Sequence, residues 1–119
     1  IEKGGDAAIK KWIDEQLKGT SVTVVLIGSE TNSREYVKYE LQKSYEKGNG
    51  MLGIYIHKIK DKDGNTSPKG SNHFGVIGKD NDGNSVYFSS SYSTYDWVDD
   101  DGFNKMGKWI ETAAKNAGR

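Results

Sequence analysis

At 119 residues the chain is long enough for one domain and too short for two. Basic and acidic residues balance at 17 each, which excludes the strong electrostatic footprint of a nucleic-acid binder. No cysteine is present, excluding a disulfide framework or a thiolate zinc site, and no apolar run approaches bilayer length.

The elements follow from periodicity. Asp6 is placed to cap a helix over residues 7–18, with Gly19 as its stop. Ile9, Trp12, Ile13 and Leu17 recur at helical spacing, predicting an amphipathic helix that covers a sheet. Residues 21–27 are rich in Val and Ile and predict a central strand. Ser33 can cap the next helix, residues 34–47, whose inward stripe is Val37, Leu41 and Ser44. Gly48-Asn49-Gly50 ends it, and residues 51–57 predict a second strand, so that strand, helix and strand form a parallel βαβ unit. Residues 58–72 are polar and predict a long surface loop. Residues 74–78 and 85–89 flank Asp80-Asn81-Asp82-Gly83-Asn84, a hairpin signal. Residues 92–97 predict an aromatic-rich loop. A last helix over residues 103–117 carries Phe103, Met106, Trp109, Ile110 and Ala113 on one face.

Ligands in open α/β sheets collect at the carboxyl ends of the strands, so the first strand and its helix draw attention to Glu40. Glu40 and Tyr36 stand at i and i+4 and share a helix face. A carboxylate there can bond a sugar hydroxyl or support a cation. Spacing alone does not separate it from Glu35 and Glu46, which read equally well as solvated helix carboxylates. The runs from Asp61 and Asp80 echo a calcium loop, but the twelfth positions are Asn72 and Ser91 rather than Glu. Both read as turns. Asp99, Asp100 and Asp101 read as solvation of a helix start. His57 and His73 are isolated, with His57 the better placed for a site. Ser89 to Ser91 lack a nucleophile-elbow frame.

The stretches Thr23 to Gly28, Ser33 to Glu40 and Lys47 to His57, with Tyr95 to Gly102 and the amphipathic helix after them, make the chain similar to the TIR-like proteins of bacterial Thoeris anti-phage systems, the ThsB type. TIR domains carry a Trp-x-x-x-Glu pattern. Here it reads Tyr36-Val37-Lys38-Tyr39-Glu40, with Tyr in place of Trp.

The resemblance implies an α/β, flavodoxin-like or TIR-like three-layer sandwich with a mostly parallel sheet. It also implies that a strand, a helix and a second strand come before the first helix. Residues 1–119 would then be a single TIR-like domain, N-terminally incomplete, whose pocket draws on residues before Ile1.

By the same resemblance, Glu40 takes the catalytic position, with Tyr36 and Ser33 as ligand-binding candidates. The implied reaction is cleavage of the nicotinamide–ribose bond of NAD to give an ADP-ribose-type, cyclic signal that acts on a separate effector protein. NAD is then a substrate; no resident cofactor and no metal are expected. Self-association of TIR-like domains, a cytoplasmic location, and no nucleic-acid or membrane partner complete the expectation. The alternative is a non-catalytic TIR-like interaction module, with the aromatic segment 92–97 as its partner surface.

Overall fold

The computed structural model describes residues 5–28, 34–71 and 74–118. The chain order is α1 (Gly5–Leu17), β1 (Val22–Ile27), α2 (Arg34–Lys47), β2 (Gly50–Tyr55), β3 (Val76–Lys79), β4 (Ser85–Tyr87), α3 (Phe88–Ser91), β5 (Thr94–Asp96) and α4 (Gly102–Asn116). β1, β2 and β5 form one sheet in the order β1-β2-β5, all parallel. Val22 pairs with Gly50 and Ile27 with Tyr55, while Gly53 pairs with Thr94 and Tyr55 with Asp96. β3 and β4 make a separate antiparallel ribbon. It lies along α2, where Tyr45 Oη donates to the Lys79 carbonyl at 3.1 Å.

The layers follow from side-chain alternation along the strands. One face of the sheet presents Val25, Ile27 and Met51, which pack with Leu41 of α2 and with Phe74, Ile77 and Phe88 from the ribbon and its flanks. The opposite face presents Leu52 and Ile54 to Trp109 and Ala113 of α4, with Tyr95 stacked on Trp109 at 4.2 Å between centroids. Each fully buried Leu or Ile stabilises the fold by about 1.5–3 kcal/mol. Gly50 lets α4 approach: a Cβ there would stand 2.2 Å from the Ala113 carbonyl oxygen. Ser44 enters the core as a polar member of the α2 stripe and is satisfied by Thr23, Oγ to Oγ1 at 2.7 Å. Asn49 Nδ2 donates to Thr23 at 3.3 Å and to Thr20 at 3.1 Å, tying the end of α2 to the start of β1.

The α/β three-layer expectation holds, with five local corrections. Residues 94–96, expected within a loop, form β5, because their backbone completes the ladder of β2. β1 was expected to be central. Among the described residues it is an edge strand, and Leu26 is 58% exposed on it. α1 packs chiefly on α2 rather than on the sheet. Its Ile13 and Leu17 are buried, but Trp12 is 61% exposed. Phe103, expected on the inner face of α4, is exposed, because the core closes at Met106, Trp109 and Ala113. Asp6 lies inside the first turn of α1, which starts at Gly5. None of the helices is long and apolar enough to cross a membrane, among the described residues.

Candidate active site

α2 runs back along the sheet, so its first turns sit near the carboxyl ends of the strands. Its inward stripe fixes the other flanks by the 100° step between residues. Tyr39 Oη donates to both carboxylate oxygens of Asp14 on α1 at 2.9 Å, and Lys47 donates to the Thr20 carbonyl. Gln42 and Tyr45 reach the other way, toward β3. Tyr36 and Glu40 therefore lie on the flank turned toward α1 and the unpaired edge of β1. Both are half-buried. Ser33 lies outside the described residues.

Glu40 is distinguished by its surroundings. Burial pushes its carboxyl above the ordinary value, and no described residue offers it a hydrogen bond or a cation. A desolvated carboxylate without a partner raises the energy of the folded state. Such groups concentrate where a ligand completes their bonding.

Asp96, at the end of β5, is the opposite case. Its Oδ1 accepts the backbone N–H groups of Asp99 and Val98, each at 3.0 Å. Those bonds, with Lys58 and His57 beside the carboxylate, hold it below the usual carboxylate range. One carboxylate is satisfied by the fold and the other is not. Environments that drive two carboxyls apart in this way assign them different roles.

The carboxyl end of the sheet holds a second group of polar residues. His57 follows β2, with Nε2 3.9 Å from Asp96 Oδ2, too long for a hydrogen bond. Its Nδ1 is buried and has no hydrogen-bond partner among the described residues. Lys58 lies 4.0 Å from Asp96 and pairs closely with Asp99. The polar loop after His57 returns over this end. Ser67 N donates to the His57 carbonyl at 2.9 Å, and Lys69 stands 4.4 Å from the Tyr55 ring centroid. Gly70 meets the end of β1 so closely that a Cβ would collide with the Gly28 carbonyl.

Glu40 and Tyr36 are thus brought to one flank, and His57 stands a strand further in. Asp96 is a site residue that local pattern does not single out. The signal present was Asp-Trp-Val-Asp-Asp-Asp after an aromatic pair, but it read as a loop. Both Asp-Gly turns close on themselves as expected: Asp61 Oδ1 accepts the N–H groups of Asp63 and Asn65, and Asp80 Oδ1 those of Asp82 and Asn84.

A family model described as the TIR-like domain of Thoeris protein ThsB matches residues 1–61, a span that includes Tyr36, Glu40 and His57. Over 145 aligned positions the chain is 37% identical to a Bacillus cereus (strain MSX-D12) protein named "Putative cyclic ADP-D-ribose synthase ThsB1", covering 92% of this chain and 76% of that relative. The chain belongs to the ThsB TIR-like family. The matched span contains β1, α2 and β2. The ribbon and α4 lie beyond the matched span of the family model, though inside the chain that the relative largely covers.

Proposed function

We propose that this chain is an NAD-cleaving TIR-like domain that converts NAD into a cyclic ADP-ribose-type signal in anti-phage defence, with Glu40 as its catalytic carboxylate. The observation that carries the assignment of Glu40 is its half-buried carboxyl, raised by desolvation and left without a partner among the described residues. The activity itself is supported by the name of the ThsB1 relative.

The chemistry suits a single carboxylate. The nicotinamide of NAD is bonded to ribose as a cation. When the C–N bond breaks, its electron pair goes to the ring nitrogen and nicotinamide departs neutral. No acid has to protonate the leaving group, unlike ordinary glycoside hydrolysis. What the protein must supply is orientation of the ribose and stabilisation of the positive charge growing on its anomeric carbon. Glu40, accepting from the ribose hydroxyls, does both. Tyr36, one turn earlier, packs beside the sugar, and Ser33 is the further ligand-binding candidate. A nucleophile within the same molecule, the base or a ribose hydroxyl, then forms the new bond to that carbon and releases its proton to solvent, and cyclisation results when it arrives before water. The product acts on a separate effector protein. NAD is substrate here, with no resident cofactor.

The test is conversion of NAD, followed by chromatography of nicotinamide and cyclised product, with the protein purified and with the protein expressed in phage-challenged cells. Glu40→Gln is expected to lower conversion by about 10²–10³-fold while leaving the circular-dichroism spectrum unchanged. Equal conversion by that variant would remove Glu40 from the mechanism. Absence of any NAD turnover in both settings would favour the interaction-module reading.

A further inference from the structure

A cavity lies away from Glu40. It holds about 500 Å³ and opens at the amino-terminal end of the sheet, between the start of β2, the last turn of α4 and the segment joining α3 to β5. Two features define its chemistry. Its walls are aromatic: Tyr45, Tyr92, Tyr95 and Trp109 all line it. Its lining charge is negative. α2 ends at Lys47 and α4 at Asn116, and the residues that follow each, Gly48 and Ala117, line the cavity. Two helix carboxyl ends, each carrying partial negative charge, therefore converge on it, and the lysine in the last turn of each, Lys47 and Lys115, is not among the lining residues. Asp80 adds a full negative charge at the rim, and no Lys or Arg is among the lining residues.

Asp80 spends one oxygen, Oδ1, on the turn that joins β3 to β4. Its second oxygen takes no part in that turn. Ser93, Thr112 and Asn116 line the cavity and make no side-chain hydrogen bond to the described residues. The site thus combines aromatic rings, Tyr95 and Trp109 stacked on one another, with acceptor side chains and no lining cation, a setting that attracts cations. A phosphate or carboxylate would be repelled. A neutral ring would gain stacking only.

We infer that this cavity is a second ligand site, selective for a small organic cation on a flat apolar body, of the amidinium, guanidinium or ring-ammonium class. It sits at the end of the sheet opposite the strand termini, so its occupant does not take the place of substrate. Benzamidine, benzamide and benzoate test the inference, because they share one shape and differ in charge. Two-dimensional NMR on the ¹⁵N-labelled chain reads the Trp109 indole N–H and the amides of Ser93 and Asn116.

Benzamidine is expected to shift these signals and to bind at least about tenfold more tightly than benzamide, with benzoate silent. Asp80→Asn keeps the turn's acceptor oxygen and removes the charge; it is expected to weaken benzamidine several-fold. Asn116→Arg places a cation at the mouth from an exposed helix position and is expected to abolish binding. Glu40→Gln is expected to leave it unchanged, which separates this site from the one proposed for NAD. Equal binding of benzamidine and benzamide would overturn the inference. So would failure of benzamidine to move the Trp109 signal, or undiminished binding by Asn116→Arg in a folded protein.

Discussion

The two ends of the parallel sheet are built from different materials. At the carboxyl end the side chains are polar and ionisable: Glu40 and Tyr36 on the flank of α2, and His57, Lys58 and Asp96 beyond β2 and β5. At the amino end the walls are aromatic, and charge comes from helix termini and Asp80. Both ends are fixed by the same strands, yet they face opposite poles of the helices. The difference shows that the apolar core sets positions, while helix direction and loop composition set the chemistry at each end.

The sharpest way to break the comparison is at Glu40. Glu40→Gln is expected to lower NAD conversion by about 10²–10³-fold, the scale seen when one group stabilising transition-state charge is removed. The cation site at the amino end should not respond. Next in size is Gly50→Ala. Its Cβ would press on the Ala113 carbonyl and push α4 off β2, at a cost of about 1–3 kcal/mol. A lowered melting temperature with a disturbed Tyr95–Trp109 stack is the expected result; a neutral effect would mean that α4 is not held where Trp109 and Ala113 place it.

The smallest effects are two pH responses of opposite sign. Glu40 has its pKa raised in the folded state, so folding favours its protonated form. Its contribution is full below the ordinary carboxylate range and is lost as pH rises through the raised folded value. Glu40→Gln should therefore be slightly more stable than the native chain at neutral pH and equal to it in acid. Asp96 has its pKa lowered, so its contribution is present at neutral pH and lost as pH falls through the depressed folded value. Asp96→Asn should flatten the acid limb of a denaturation profile, by an amount in the exposed ion-pair range of about 0–1 kcal/mol. Identical pH profiles for the two variants would erase the distinction between the satisfied carboxylate and the unsatisfied one.

Much of the fold was legible in local pattern. The helical stripe Val37, Leu41, Ser44 and the apolar runs before and after it specify β1, α2 and β2 without tertiary information, because their period and length leave one reading. β5 was not legible. Three residues, Thr94 to Asp96, carry too little periodicity, and only the open edge of β2 makes them a strand. Trp12 and Phe103 misled for the converse reason. Large rings predict burial, but a helix face is buried only where a neighbour exists, and none of the described elements covers these two.

The candidate site divides in the same way. Residue order determined the Tyr36-x-x-x-Glu40 pair, the helix that carries it and the family resemblance, since all three depend on neighbours within one turn of helix or one strand. Tertiary structure decided what set Glu40 apart from Glu35 and Glu46: partial burial with no partner among the described residues. It also decided that Asp96 is held by its own loop, and that aromatic residues from three separate stretches, Tyr45, Tyr92 with Tyr95, and Trp109, line one cavity. Desolvation and convergence depend on chains far apart in sequence meeting in space, and no local spacing encodes them.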